Sequence, residues 1–70
     1  MKNWIINVSG RHGYSFMVET DIEDDTEVIC AAKDANLFED AEDADYAFAD
    51  DLVSQYDIDH FKKSDAYHKI

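Results

Sequence analysis

The chain has 70 residues, 46% of them hydrophobic, and it carries 17 Asp and Glu side chains against six Lys and Arg. This length allows one small domain, and the apolar content is too high for a disordered acidic tail. The formal net charge of −11 repels phosphates, which argues against binding to nucleic acid or to an anionic membrane. The partner that this charge favours is a basic protein surface.

Two alternating segments near the start predict an antiparallel β-hairpin. Residues 3–9 and 14–20 each place apolar side chains at every second position, as strands with one buried face do. Between them lie Gly10 and Gly13, which allow the positive φ that tight hairpin connections need. The predicted inner faces consist of Trp4, Ile6, Val8, Tyr14, Phe16 and Val18.

A short amphipathic helix is predicted over residues 25–35. Asp24 and Glu27 have the spacing of a capping box, and Asn36 suits a left-handed C-cap. Cys30 lies within this helix and is the only cysteine, so an intrachain disulfide is impossible. We expect Cys30 to be a small core residue rather than a nucleophile.

A second and longer helix is predicted over residues 39–56, EDAEDADYAFADDLVSQY. At 3.6 residues per turn, one face of this segment is apolar and the opposite face carries a row of carboxylates. The predicted core stripe consists of Ala41, Ala44, Phe48, Leu52 and Tyr56, widened by Ala49 and Val53. The predicted carboxylate row consists of Asp40, Asp43, Asp50 and Asp51.

The end of the chain gives a weaker pattern. Residues 56–60 alternate like a short third strand, although Asp57 equally suits the start of a short helix through Phe61. From about residue 62 a polar, frayed tail is expected. The fold class predicted for residues 1–70 is therefore a single α+β domain, in which the hairpin, with or without a third short strand, packs against two amphipathic helices. Because these apolar faces cover one another, a monomer is expected.

Neither a metal site nor catalysis is indicated by the residue pattern. Residues 21–25 and 39–45 lack the glycine and the ligand spacing of a calcium loop. The three histidines and Cys30 lack the paired spacing of a zinc site. Carboxylates act as catalysts when burial in a cleft separates their pKa values, and 70 residues offer little room for one. We therefore expect no metal, no cofactor and no enzymatic activity.

The carboxylates indicate a partner-binding surface more clearly than a metal site or a catalytic site. Residues 12–61 contain 16 acids and one base, which gives that span a charge of −15. Helical residues three or four apart have Cβ atoms about 5–6 Å apart, and DNA carries one charge per about 3.4 Å of each strand. An acidic helix face beside a charged turn would thus compete with nucleic acid for a groove lined by Arg and Lys. The candidate partner-binding residues are Asp21, Glu23, Asp24, Asp25, Glu39, Asp40, Glu42, Asp43, Asp50 and Asp51.

In size, charge and the pattern of these acids, the middle of the chain resembles the DNA-mimic inhibitors of phages and mobile elements, the anti-CRISPR proteins in particular. The resemblance implies a non-catalytic inhibitor without a cofactor that blocks a DNA-binding defence complex, with a CRISPR–Cas surveillance complex as the favoured target. A restriction enzyme, a uracil-DNA glycosylase or a nucleoid protein is an alternative target. The first ten residues are too short and polar for a signal peptide or membrane span, so the expected location is the cytoplasm, that of an infected bacterial host for a phage-encoded protein.

Two other interpretations stay open at the level of sequence. The protein would be an interaction module or adaptor if it bound a basic partner without competing with nucleic acid. Alternatively, the acids would serve solubility alone, since strong net charge keeps small proteins apart in solution.

Overall fold

A computed structural model describes residues 1–10, 13–37 and 44–70 of the chain. The α+β class is confirmed: within the described residues, a four-stranded mixed sheet is combined with two helices. The elements are β1 (Lys2–Gly10), β2 (Tyr14–Thr20), α1 (Asp25–Asp34), β3 (Ala44–Asp50), α2 (Gln55–Lys63) and β4 (Tyr67–Lys69).

The strand order is β3-β1-β2-β4, with β1 antiparallel to both of its neighbours and β4 parallel to β2. Strands β2, β3 and β4 therefore point the same way. The connection from β2 to β3 crosses the sheet in one direction, and the connection from β3 to β4 returns in the other. Because such crossovers are right-handed, α1 and α2 are placed on opposite faces of the sheet.

The main core lies between the sheet and α1. Alternation along β1 and β2 directs one set of apolar side chains toward this helix, where they are buried. Helix α1 contributes two residues one turn apart, so both point the same way. The buried cluster consists of Trp4, Ile6, Val8, Phe16, Val18, Val28 and Ala32.

The opposite face of the sheet is covered in part by α2. Met17 is fully buried although it lies outside the main cluster, as expected for a strand residue that points away from its neighbours Phe16 and Val18. On the same face, the Lys62 ammonium of α2 lies 5.1 Å from the centroid of the Tyr67 ring. The small protein thus buries apolar side chains on both faces of one sheet.

Helix α1 has the termini that its sequence predicts. The Asp24 carboxylate accepts a hydrogen bond of 3.0 Å from the Glu27 N–H, which is the N-cap interaction. At the other end Asn36 has φ of 58°, and the N–H groups of Asn36 and Leu37 donate to the carbonyls of Lys33 and Ala32. These two bonds form a Schellman motif, which ends the helix.

The predicted second helix over residues 39–56 is wrong. Residues 44–50 form β3 instead, and the next helix begins only at Gln55. The segment also satisfies a period of two: Ala47 and Ala49 pair with Val8 and Ile6 of β1 and pack against the main core. Helix propensity differs among ordinary residues by fractions of a kcal/mol, up to about 0.7. The pairing of residues 44–50 with β1 outweighs this preference.

Of the two alternatives for residues 56–60, the short helix is confirmed and the third strand is not, since α2 spans Gln55–Lys63. Ser54 and Asp57 form a capping box, in which each side chain accepts from the other residue's backbone N–H. Residues 51–54 therefore belong to a connection. Leu52 and Tyr56, predicted for the core stripe, are exposed.

Two further expectations differ from the structure. Cys30 is exposed, because it lies two residues from the buried Val28, about 200° around the helix. Where a frayed tail was expected, α2 continues through Lys63 and β4 joins the sheet. Residues 38–43 and 11–12, which hold part of the predicted second helix and of the hairpin turn, lie outside the described residues.

Strand β4 is attached to the sheet by a polar cluster as well as by its backbone. The Tyr67 hydroxyl lies 2.5 Å from Glu19 Oε2, to which it donates, and 2.7 Å from Asn3 Oδ1. Burial, followed by this bond to Glu19, raises the pKa of Tyr67 to about 12. The same hydrogen bond lowers the pKa of Glu19 below its ordinary value. Both shifts favour the protonated phenol beside the ionised carboxylate.

We predict that Asp24→Ala lowers the free energy of unfolding by about 1 kcal/mol, because it removes the N-cap acceptor of α1. Asp24→Asn is the matched control, since it removes the same negative charge and retains a capping side chain. Urea denaturation of both variants measures the difference. Equal stabilities of the two variants would contradict the capping role.

We predict a pH-dependent stability difference between the native protein and Tyr67→Phe. The raised pKa of Tyr67 stabilises the fold below the ordinary value of 10.0, and this contribution is lost as pH rises to about 12. The lowered pKa of Glu19 stabilises the fold above the ordinary value of 4.5, and this contribution is lost as pH falls through the folded value. The difference in unfolding free energy should therefore be largest near neutrality and shrink at both extremes. A difference that is independent of pH would show that Tyr67 acts through packing alone.

Candidate functional site

Two acidic segments that are far apart in sequence meet at one open depression on the surface. One segment is the connection from β2 into α1, and the other is the end of β3 with the residue that follows it. The depression has a volume of about 280 Å³. It is lined by Trp4, Glu23, Asp24, Asp25, Ala49, Asp50 and Asp51.

The fold holds the first acidic segment in place through Trp4. This residue is buried in β1, and its indole Nε1–H donates a 3.0 Å hydrogen bond to the carbonyl of Ile22. Ile22 packs against the main core, and Asp24 is committed to the N-cap of α1. The acids that follow Ile22 are thus held beside Trp4.

The second segment is positioned by strand pairing. Asp50 lies opposite Ile5 in the β1–β3 register, which sets it one residue along from Trp4. Its Oδ1 accepts a 2.9 Å hydrogen bond from the Leu52 N–H. Asp51 follows the strand directly and is exposed.

One cation of the chain already lies at this site. The Lys2 ammonium is 3.1 Å from Asp51 Oδ2 and 4.7 Å from the centroid of the Trp4 ring. Both partners of the ion pair are more than a third exposed, so the pair is worth only about 0–1 kcal/mol. The arrangement shows the two contacts that this surface offers a positive group: a carboxylate and an aromatic face.

The local charge is strongly negative even with Lys2 counted. Five acidic residues line the depression, and the Lys2 ammonium contacts one of them, Asp51. Exposed carboxylates accept charge-assisted hydrogen bonds from Arg and Lys, and several of them acting together attract a basic surface over about a Debye length. Across residues 1–10, 13–37 and 44–70, no group of three or more His, Cys, Asp and Glu side chains has an arrangement that could hold a metal ion.

The structure brings together half of the predicted partner-binding residues. Asp21 is exposed in the same connection but does not line the depression. The regular carboxylate row on a helix is not formed, since Asp50 and Asp51 lie at the end of β3 and after it. Those that line the depression are Glu23, Asp24, Asp25, Asp50 and Asp51. Those outside the described residues are Glu39, Asp40, Glu42 and Asp43.

Sequence reasoning missed two members of the site. Alternation assigned Trp4 to the core, which is correct, since Trp4 is buried, but it does not reveal that Trp4 also lines the depression. Lys2 is the second of these residues. Its role depends on the β1–β3 pairing, and no local pattern indicates that.

No protein-family model, curated protein or solved structure matches the chain. Among the described residues, no helix has the length and apolar character needed to cross a membrane.

We predict that salt stabilises the free protein, because it screens repulsion among the crowded carboxylates. The melting temperature should rise as sodium chloride increases from about 0.05 to 0.5 M, a range over which the Debye length falls severalfold. Lys2→Gln should steepen this rise, and Glu23→Gln should make it shallower. A melting temperature that fell or stayed constant would show that attractive ion pairs dominate the surface.

Proposed function

We propose that the protein is a non-catalytic acidic inhibitor that presents carboxylates, in place of nucleic-acid phosphates, to a basic DNA-binding protein. A CRISPR–Cas surveillance complex is the favoured target, as the resemblance to anti-CRISPR proteins implies. The observation that carries the proposal is that five acidic residues from two separate sequence segments line one open depression.

The physical basis is competition for the same cationic side chains. A groove that binds DNA presents Arg and Lys at the spacing of phosphates, and much of its affinity comes from neutralising them. Carboxylates in the depression accept the same N–H donors. With a net charge of −11, the whole chain is also steered toward such a groove, which raises the association rate.

The shape of the acidic surface differs from the expected one. A helical row would have repeated its charges regularly, as a nucleic-acid strand does. The depression instead brings together acidic residues from a helix N-terminus and a strand end beside Trp4. The proposal therefore depends on the number and convergence of the charges rather than on a regular spacing.

A second candidate function is favoured by one observation. Leu52 and Tyr56 are among the most exposed large apolar side chains of the described residues, and apolar contacts of this kind have no counterpart in a phosphate backbone. They suit an interaction module that binds a basic partner without displacing nucleic acid. Competition separates the two functions: an inhibitor and DNA exclude each other, whereas an adaptor allows a ternary complex.

We predict that Glu23→Lys combined with Asp51→Lys reduces partner binding by at least about tenfold, because two attractive charges become repulsive at the depression. The native protein and the variant serve as baits in nuclease-treated bacterial extract. A basic protein captured by the native bait alone is then purified. Its affinity for both proteins and its displacement by a short DNA duplex are measured.

Asp34→Lys combined with Asp65→Lys is the control, since it makes the same change in net charge at exposed positions that do not line the depression. Circular dichroism checks that all three proteins are folded. If the control weakened binding as much as the depression variant, net charge alone would account for the affinity. A ternary complex with DNA would contradict mimicry and favour the adaptor.

A further inference from the structure

Beside the acidic depression lies a pair of exposed apolar side chains, Leu52 and Tyr56, which we call the Leu52–Tyr56 patch. Their side chains are 81% and 77% exposed. Single exposed apolar residues are common on proteins. This pair differs because the backbone N–H of Leu52 is bonded to Asp50, so the patch begins where the depression ends.

The start of α2 holds Tyr56 outward. The capping box between Ser54 and Asp57 sets the helix register. Val53 and Ile58 occupy the two positions of a hydrophobic staple and are both partly buried. Tyr56 lies on the opposite side of this first turn, so its exposure is a consequence of the register.

The ring of Tyr56 is supported from within the helix. The His60 ring stacks on it at a centroid distance of 6.4 Å and an interplanar angle of 13°. A stacked neighbour restricts the rotamers of Tyr56 before any partner binds, which reduces the entropy lost on binding. Tyrosine is also one of the residues most often found at the energetic centre of protein interfaces.

The charges around the patch select the kind of protein that can cover it. Residues 50–59 contain four Asp and no Lys or Arg. A second copy of the chain would bring a further net charge of −11 to this surface, which opposes self-association. A surface with an apolar socket rimmed by Arg and Lys complements both features at once.

We propose that the Leu52–Tyr56 patch is the apolar anchor by which this protein binds its basic protein partner. The inference rests on the proposed function, since it concerns the same partner. It adds that recognition has two parts: the depression attracts and orients the basic surface, and the patch fills an apolar socket beside it. A simple polycation lacks such a socket, so the patch distinguishes a folded basic protein from other polycations.

Two synthetic helical peptides of equal positive charge test the proposal. Both are rich in Arg and Lys, and one carries Trp and Leu at positions i and i+4 where the other carries Ala. Binding to the native protein is measured by calorimetry at low and physiological salt. Amide shifts in NMR spectra map the contact surface. The apolar peptide is expected to bind at least about tenfold more tightly and to shift residues 52–60.

Three variants identify the residues that cause the preference for the apolar peptide. Leu52→Ser combined with Tyr56→Ser should remove the preference for the apolar peptide. Glu23→Gln combined with Asp51→Asn should weaken both peptides and keep their ratio. Tyr14→Ser, which alters a partly exposed aromatic on β2, should change neither. Thermal melts confirm that each variant is folded, as expected for exposed positions.

The outcomes separate the two proposals. Equal, salt-sensitive binding of both peptides to the native protein would overturn the anchor and leave the acidic function standing. Failure of both peptides to bind would overturn both. A preference that survives in the Leu52→Ser, Tyr56→Ser variant would place the anchor elsewhere and overturn this inference. Dimerisation that this variant abolishes would also overturn it, because a second copy would then be the occupant.

Discussion

The double pairing of β1 is the constraint on which the rest of the structure depends. This strand has β2 on one side and β3 on the other, and its alternating side chains supply Trp4, Ile6 and Val8 to the main core. The segment around Ala47 forms a strand because it pairs with the free edge of β1. The same pairing brings Asp50 beside Trp4 and so assembles the depression. Core and candidate site therefore share one cause.

A chain this acidic folds because its charges and its core are kept apart. Alternation in β1 and β2 gives the sheet apolar positions on both faces, and helices on opposite sides bury them. The carboxylates lie mainly in connections and at helix starts, where Asp24 and Asp57 also cap helices. Each capping acid offsets part of the repulsion it creates, since helix N-termini favour negative charge.

The recognition that we propose combines two kinds of contact that differ in range. The acidic residues of the depression would act over about a Debye length and would set the encounter rate and salt dependence. Leu52 and Tyr56 would act only in contact, where burial of apolar area contributes most to slow dissociation. A phosphate mimic needs only the first kind. The presence of both is the reason for expecting a particular protein partner rather than any cationic polymer.

The sequence by itself determined the features that depend on short-range pattern: the two alternating segments, the caps of α1 at Asp24 and Asn36, and the excess of carboxylates. It did not determine the structure of residues 44–50, because alanine-rich alternation fits a helix and a strand about equally well. Only the pairing with β1, more than thirty residues away in sequence, decided between them. The same long-range contact placed Asp50 and Asp51 beside Glu23 and Asp25. Helix propensities differ by a fraction of a kcal/mol per residue. Hydrogen bonding to a neighbouring strand together with burial of apolar side chains outweighs such differences.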